Sequence, residues 1–425
     1  ALDAALNEIA ARAPKPAAIA VTGKPFIFAV GADLGGVGQL ASHEQALEMG
    51  RLGHRVFARL KHSDVPTFAF VNGATMGGGL ELALHCRYRT LAAQAGPIAF
   101  PEVFLGLVPA WGGTQLLPSL VGPDAAVKII VENAMNQNRM LSPKQAAEFG
   151  IADVLLDNAD FLAQSLAWAA GVVNGQVTVT RTDHRDDDWD GPLARGTASA
   201  DGKVHGAAPA AYRALELIAA ARATAFADGT AAEDEVLADL LMSDELRSSL
   251  YSFELVNKRA KRPAGAPDKS LARKVTKVGV VGAGLMASQL ALLFARKLQV
   301  PIVMTDLDQA RLDKGVGYVH NELDQQLAKG RLSQDKANRL KALVTGSLTK
   351  DAFNDADLVI EAVFEEIKIK KAVFAELEEH VSPECVLLTN TCSLSVSEMA
   401  ADLQHPERVV GFHFFNPVAV LPLLE

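Results

Sequence analysis

The sequence predicts a mixed α/β protein of two or three units, the last of which is a doubly wound parallel sheet. The chain has 425 residues, whereas a single compact domain rarely exceeds about 200 residues. Short apolar runs alternate with helical patterns from 16 to 92, and again from 277 to 412. Strand, helix and strand at this spacing are typical of right-handed crossovers in α/β layers.

Charge and composition exclude several classes of function. The net charge is −9 and no run of lysine and arginine stands out, so we expect no nucleic-acid partner, whose binding depends on neutralising phosphates. The three cysteines, at 86, 385 and 392, are few and odd in number, so we expect no disulfide framework and a reducing compartment. No apolar run approaches the roughly 18 residues of a membrane span, so we expect no integral membrane segment.

The first unit is expected over residues 1–173. Its predicted strands and helices alternate: strands 17–22, 67–71 and 88–92, and helices 43–62, one through Glu81, and 157–172. Ser42 and Gln45 have the spacing of a capping box at the start of the first of these helices. Residues 1–13 have the period of an amphipathic helix rather than of a signal peptide, so we expect the domain's N-terminal part to be missing.

Residues 174–275 are predicted to form a loop followed by a helical linker. The acidic stretch 186–190 lacks the spacing of a calcium loop, so we interpret it as a solvated loop rather than a metal site. Helical periodicity returns over 210–258, and the basic cluster that follows fits a solvated helix end. The proline- and glycine-rich stretch 263–268 is the clearest linker.

The last unit, 276–425, contains a nucleotide-binding fingerprint. The run Gly282-Ala-Gly284-Leu-Met286 follows a predicted strand, 277–281, and opens a helix, and Asp306 ends the next strand. Gly282 permits the tight turn, Gly284 lets a pyrophosphate approach the helix, and Asp306, about 20 residues on, would bind a ribose diol. Because the Asp306 carboxylate would repel a 2′-phosphate, the pattern predicts NAD rather than NADP as the cofactor. Further strands are predicted at 302–305, 358–360, 386–389 and 409–412.

Two glutamates of the first unit stand in glycine-rich surroundings. Glu81 follows the triple glycine 77–79, and Glu102 follows Pro101. Adding water to an α,β-unsaturated thioester requires a base, an acid and hydrogen-bond donors for the enolate-like oxygen, and two carboxyl groups can supply the first two. The glycines would let backbone amides approach that oxygen at a helix N-terminus. Spacing alone also fits a surface helix residue and a helix cap, so both interpretations stay open at this point.

Three motifs in the first unit carry a more specific signal. They are Gly31-Ala32-Asp33-Leu34, then Asn72-Gly73-Ala74-x-x-Gly77-Gly78-Gly79-x-Glu81, then Phe100-Pro101-Glu102-x-x-x-Gly106. In this order they resemble the enoyl-CoA hydratase/isomerase (crotonase) family. The resemblance implies a ββα spiral, a coenzyme A thioester as substrate, an oxyanion hole made by the Ala32 and Gly78 amides, and Glu81 and Glu102 flanking the substrate. Both acids are present, which favours hydration, although Δ3-Δ2 enoyl-CoA isomerisation stays an alternative.

The end of the chain carries a second resemblance. The runs Glu361-Ala-Val-Phe-Glu365, Asn390-Thr-Cys392-Ser393 and His413-Phe-Phe-Asn416-Pro417 resemble the 3-hydroxyacyl-CoA dehydrogenase family. The resemblance implies that His413 removes the hydroxyl proton while Glu425 orients its ring, and that Glu365, Lys370 and Asn416 contact the nicotinamide half of NAD. It also implies a further, helical domain that is missing here.

One residue departs from that family's pattern. Serine is usual where this chain has Cys392, and its hydroxyl binds the reacting oxygen of the substrate. A thiol is a weaker donor, so we expect slower oxidation unless Ser393 takes over that contact. A scaffold that binds acyl-CoA and a thiolase, with oxidation impaired, therefore stays a further alternative.

The order of hydratase, helical linker and dehydrogenase resembles the multifunctional enzymes of fatty-acid β-oxidation. That resemblance implies hydration of a trans-2-enoyl-CoA, oxidation of the resulting 3-hydroxyacyl-CoA by NAD, and a thiolase β subunit as partner in a hetero-oligomer. It further implies a cytoplasmic bacterial protein, and a mitochondrial location stays open.

Overall fold

The computed structural model describes residues 1–31, 35–36, 42–259, 265–421 and 423–425. The chain divides into two compact units, Ala1–Ala266 and Pro267–Glu425. Within the described ranges, no helix combines the length and the apolar composition needed to cross a bilayer.

The described strands of the first unit form two parallel sheets. Their bounds are β1 Ile19–Thr22, β2 Phe26–Ala29, β3 Thr67–Val71, β4 Gly73–Met76, β5 Tyr88–Ala92, β6 Ile98–Ala99 and β7 Val154–Leu156. One sheet has the order β1-β3-β5-β7 and the other the order β2-β4-β6. Because consecutive strands alternate between the two sheets, the chain advances as a spiral of paired strands with helices between them. This arrangement is the ββα spiral that the resemblance implied.

Helices surround these sheets and continue beyond them. Their bounds are α1 Leu2–Ala10, α2 His43–Lys61, α3 Gly78–His85, α4 Glu102–Leu105, α5 Gly113–Val127, α6 Asn133–Met135, α7 Pro143–Glu148, α8 Phe161–Val173, α9 Asp190–Val204, α10 Pro209–Ala220, α11 Phe226–Leu241 and α12 Asp244–Glu254. A π-helical turn, Lys128–Glu132, joins α5 to α6, and another, Leu255–Arg259, follows α12. The core of this unit includes buried residues of α10 and α11 as well as of the sheets, so the segment after residue 187 belongs to the same packed body.

The second unit is built on one parallel sheet. Its described strands are β8 Val278–Val281, β9 Ile302–Thr305, β10 Val344–Ser347, β11 Leu358–Glu361, β12 Val386–Thr389 and β13 Val409–Gly411. Its described helices are α13 Leu285–Leu298, α14 Gln309–Ala328, α15 Gln334–Ala342, α16 Ile367–His380 and α17 Val396–Ala400. Short 3₁₀ turns lie at Lys269–Leu271, Lys350–Phe353 and Pro406–Arg408. The strand order is β10-β9-β8-β11-β12-β13. Counted within the unit this is the order 3-2-1-4-5-6 of dinucleotide-binding folds, which confirms the predicted doubly wound sheet.

Some elements were not evident from the sequence. The second sheet of the first unit has strands of only two to four residues, too short to give a clear alternating pattern. The edge strand β10 is half exposed and contains Gly346, so its pattern is weak as well. Helix α9 lies in a segment without helical periodicity because its buried positions, including Gly196 and Ala200, are small residues. A Cβ on Gly196 would lie 2.7 Å from Leu215, which shows how closely α9 packs.

Candidate active sites

Glu81 is a buried carboxylate held by a neighbouring loop. It lies near the start of α3, and its side chain is 2% exposed. Its Oε1 atom accepts hydrogen bonds from the backbone N–H groups of Trp111 at 2.6 Å and Gly113 at 2.9 Å. The turn before α3 depends on Gly77, whose φ of +53° is in a region that favours glycine. Glu81 is therefore an interior residue fixed by two donors, which removes the surface-helix interpretation.

Glu102 faces the same turn from the other side. It is the first residue of α4, and its Oε2 atom is buried and has no hydrogen-bond partner among the described residues. A Cβ on Gly77 would lie 2.2 Å from Glu102 Oε1, and a Cβ on Gly78 would lie 3.7 Å from Glu81 Oε2. The two carboxyl groups therefore converge on the Gly77–Gly78 turn, as the sequence interpretation required.

Burial changes the protonation of this pair. It raises the pKa of Glu102 to about 8. Burial, the charge of Glu102 and the charge of Glu233 raise the pKa of Glu81 well above its usual range, whereas the two amide donors act in the opposite direction. Because like charges in one buried site cannot both ionise easily, the pair retains a proton near neutral pH.

The predicted oxyanion hole lies partly outside the described residues. Ala32 is one of those that the structure does not describe. Gly78 is the first residue of α3, and among the described groups its amide finds no acceptor, as is usual for the first turn of a helix. That amide is therefore available for an oxygen of a bound molecule.

Trp111 is a site residue that the sequence interpretation missed. A Cβ on Gly78 would lie 2.9 Å from two carbons of its ring, and a Cβ on Gly53 would lie 2.2 Å from its Nε1 atom. This Nε1 atom is buried without a partner among the described residues. The sequence did contain a signal for this residue, because a bulky ring followed by the paired glycines 112–113 suggests close packing.

The fingerprint of the second unit opens onto a large cavity. Gly282 has a φ of +104°, and a Cβ there would lie 2.9 Å from the carbonyl oxygen of Ala362. Gly284 caps α13, and a Cβ on it would meet no atom within 4 Å. The cavity, about 1210 Å³, is lined by the predicted cofactor residues Gly282, Gly284, Met286, Asp306 and Glu365, together with Cys392. The tight turn is therefore at Gly282, and the open space that a pyrophosphate needs is at Gly284, as the fingerprint predicts.

Asp306 holds the fingerprint loop in its turn. Its Oδ2 atom accepts from the Ala283 amide at 2.7 Å, and its Oδ1 atom accepts from the Leu307 amide at the same distance. The carboxylate therefore lies beside the glycine turn at the edge of the cavity. These residues fit a dinucleotide, whose pyrophosphate would lie at the start of α13 and whose ribose would lie near Asp306.

Lys370 lies deeper than a surface cofactor contact. Its side chain is 0% exposed, and its Nζ atom lies 2.7 Å from Glu361 and 3.2 Å from Glu365. Partial burial opposes ionisation of Glu365, but hydrogen bonds from Thr391 and Lys370 and the Lys370 charge lower its pKa. Glu365 also accepts from the Cys392 amide at 3.1 Å. Glu365 therefore lines the cavity, and Lys370 lies behind it as its ionic partner.

His413 and Glu425 come together as predicted. The Nδ1 atom of His413 lies 3.1 Å from Glu425 Oε2, and the two residues exchange backbone hydrogen bonds of 2.9 and 3.1 Å. With Nδ1 bound to a carboxylate, the Nε2 atom of the ring is left to exchange a proton with a substrate. Asn416 accepts a hydrogen bond from Gln289 at 3.1 Å, whereas Cys392 and Ser393 are exposed.

Models of two protein families match the chain. Residues 2–187 match the enoyl-CoA hydratase/isomerase family, and residues 277–425 match the 3-hydroxyacyl-CoA dehydrogenase NAD-binding domain. Residues 2–187 therefore belong to the first family, and residues 277–425 belong to the second. Both resemblances inferred from the motifs are confirmed, as are the fold class and NAD as the cofactor of the second unit.

Two relatives align with most of this chain. It is 31% identical over 431 residues to the fatty acid oxidation complex subunit alpha of Shewanella frigidimarina, covering 99% of this chain and 59% of that protein. It is 32% identical over 372 residues to the peroxisomal fatty acid beta-oxidation multifunctional protein AIM1 of Arabidopsis thaliana, covering 86% of this chain and 50% of that protein. The chain thus spans between half and three fifths of these relatives' length.

Proposed function

We propose that the first unit adds water to trans-2-enoyl-CoA thioesters, with Glu81 as the base and Glu102 as the acid. The observation that carries this assignment is the unequal hydrogen bonding of the two buried carboxyl groups. Two amides donate to Glu81 Oε1, which favours its ionised form, whereas Glu102 Oε2 has no described donor, which favours its protonated form. The pKa of Glu102, raised by burial to about 8, supports its role as a proton donor at neutral pH.

In this proposal each atom has a defined destination. Glu81 takes a proton from water, and the water oxygen bonds to carbon 3 of the thioester. The π electrons of the double bond move towards carbon 2 and the thioester oxygen, which accepts a hydrogen bond from the Gly78 amide. Carbon 2 then takes the proton of Glu102. The product is a 3-hydroxyacyl-CoA.

We further propose that the second unit oxidises that product to a 3-ketoacyl-CoA. NAD supplies the hydride acceptor when bound. His413 takes the hydroxyl proton through Nε2, and Glu425, 3.1 Å from Nδ1, orients the ring and stabilises its charged form. Replacing His413 by alanine should abolish NADH production while NAD still binds; unchanged NADH production would make the base assignment wrong.

The full-length protein with NAD and a series of 2-enoyl-CoA chain lengths tests both activities together. Linked formation of 3-ketoacyl-CoA and NADH is the expected result. Hydration without NADH would instead favour the scaffold alternative, in which Cys392 has impaired oxidation.

Isomerisation is the second candidate for the first site. The unpartnered Oε2 atom of Glu102 also suits a carboxyl group that carries a proton between two carbons of one substrate. Supplying 3-enoyl and 2-enoyl thioesters separately distinguishes the two activities, because only hydration converts a 2-enoyl thioester to a 3-hydroxyacyl thioester.

A multienzyme assembly is the third part of the proposal. The name of the Shewanella relative, a complex subunit alpha, supports a role for this chain as one subunit of a complex. We propose a thiolase β subunit as the partner, since cleavage of the 3-ketoacyl thioester is the next chemical step. Co-purification of the tagged full-length protein with thiolase activity tests this. The cytoplasmic location stays a prediction.

A further inference from the structure

Four consecutive backbone amides before and at the start of α5 are divided between two buried carboxylates. Trp111 and Gly113 donate to Glu81, whereas Gly112 and Thr114 donate to Glu233 at 2.7 and 3.0 Å. The first turn of a helix leaves its N–H groups without intrahelical partners, and carboxylates there also interact favourably with the helix dipole. The segment therefore cannot shift relative to Glu81 without also disturbing its bonds to Glu233.

Glu233 is itself held firmly in place. It lies in α11, is 0% exposed, and accepts a further hydrogen bond from the Thr114 hydroxyl. His54 Nε2 lies 2.9 Å from Glu233, and His54 Nδ1 lies 2.8 Å from Asp234. Burial alone would lower the pKa of His54, but the bonds and charges of Asp234 and Glu233 raise it to about 9. A charged imidazolium therefore compensates the buried Glu233 carboxylate.

The close packing of α2, α11 and the start of α5 depends on small residues. A Cβ on Gly50 would lie 2.6 Å from Asp234 Oδ1, and a Cβ on Gly229 would lie 2.1 Å from Gln115 Oε1. Gln115 in turn donates to the Leu217 carbonyl at 3.3 Å. Gly229 allows α11, which carries Glu233, to lie directly against the start of α5, and Gly50 allows α2 to lie directly against α11.

We propose that Glu233 is a positioning residue for the Glu81 carboxylate, so that α11 completes the hydration site. Glu233 holds the amides of 111–114 at the geometry that Glu81 requires. Its own charge acts in the opposite direction, because it raises the pKa of Glu81. If only Glu81 bound these amides, the amides could shift relative to it. Small misplacements at a reacting centre reduce turnover strongly. The inference rests on the proposed role of Glu81 in hydration.

Glu233→Gln tests the inference in the full-length protein. Each carboxylate oxygen of Glu233 accepts from one backbone amide, Gly112 or Thr114. Glutamine replaces one of these oxygens by an NH₂ group, which donates, so one of the two backbone N–H groups would face another donor. We expect kcat for hydration of a 2-enoyl-CoA to fall by about ten- to hundredfold while KM changes by less than about threefold. Asp239→Asn is the matched control, because Asp239 lies on the same helix and pairs with His43 at 3.1 Å on the surface. It should leave kcat within about twofold.

A double variant separates positioning from general stabilisation. If Glu233 acts through Glu81, Glu81→Gln combined with Glu233→Gln should have the turnover of Glu81→Gln alone. The inference is overturned if the two losses multiply, or if Glu233→Gln reduces kcat no more than Asp239→Asn at equal folded fraction. Should Glu233→Gln not fold, Thr114→Val removes one donor to Glu233 and should lower kcat in the same direction, and an unchanged kcat would equally overturn the inference. Full hydration by Glu81→Gln alone would instead refute the proposed function.

Discussion

Glu81 and Glu233 bind alternate amides of one four-residue segment, although they lie 152 residues apart in the chain, at positions 81 and 233. Glu81 lies within the residues that match the hydratase/isomerase family model, whereas Glu233 lies beyond residue 187, where that match ends. The candidate site of the first unit is therefore supported by a helix outside the residues that match the family model. The following predictions test the proposed chemistry and the contacts that support it.

Replacing either carboxyl group of the pair should strongly reduce hydration. We expect Glu81→Gln and Glu102→Gln each to lower kcat by at least about a hundredfold, because an acid or base in the transition state contributes about 10²- to 10⁴-fold. Hydration is measured by the loss of the enoyl-thioester absorbance. If both variants hydrate at the original rate, the carboxylate assignment is wrong.

The rate of hydration should fall at alkaline pH. Glu102 must be protonated to act as the acid, and burial raises its pKa to about 8, so on the alkaline side the rate should fall about tenfold per unit above about pH 8. The same shift has a stability consequence: neutral Glu102 contributes stability that is present below its unfolded value of 4.5 and is lost as pH rises through about 8. A rate that already declines as the pH rises from about 5 to 7 would contradict this assignment.

Gly284 should matter for NAD binding and little for folding. A Cβ at this position meets no atom within 4 Å, but it would point into the space that a pyrophosphate needs. We expect Gly284→Ala to weaken NAD binding at least about tenfold, or about 1.4 kcal/mol, in a calorimetric titration. Gly317→Ala, also in open space but outside the cavity lining, is the control. Equal affinity in both variants would place the pyrophosphate elsewhere.

Lys370 should be essential for the stability of the second unit. Lys370→Met leaves the buried Glu361 carboxylate without its ionic partner, which should cost about 3–5 kcal/mol of unfolding free energy in urea. The neighbouring Lys371 pairs with Asp402 at the surface, so Lys371→Met should cost no more than about 1 kcal/mol. Similar losses in the two variants would show that the buried network contributes little.

Cys392 should limit oxidation if it contacts the substrate. It lines the large cavity of the second unit, and its backbone amide donates a hydrogen bond to Glu365. Because a hydroxyl is a stronger hydrogen-bond donor than a thiol, Cys392→Ser should increase NADH production from a 3-hydroxyacyl-CoA severalfold in the full-length protein. An unchanged rate would indicate that Ser393, or no residue of this loop, binds the reacting oxygen.

The sequence by itself determined the α/β fold class and the family of each domain, and it predicted the candidate site residues. Continuously apolar strands such as Thr67–Val71 and Val278–Val281 are recognisable because their side chains are buried on both faces. Glu81, Glu102, Gly282 and His413 stand in local motifs, so their neighbours in the chain were enough to predict them as site residues.

Only the tertiary structure decided how those residues are supported. The pairing of His54 with Glu233 and Asp234, and the binding of Glu233 to Gly112 and Thr114, join segments distant in the chain. The short second sheet and helix α9 are likewise stabilised by packing rather than by local pattern. Local sequence specifies propensity and chemistry, whereas burial, and with it the protonation of Glu81 and Glu102, arises only when distant segments exclude water together.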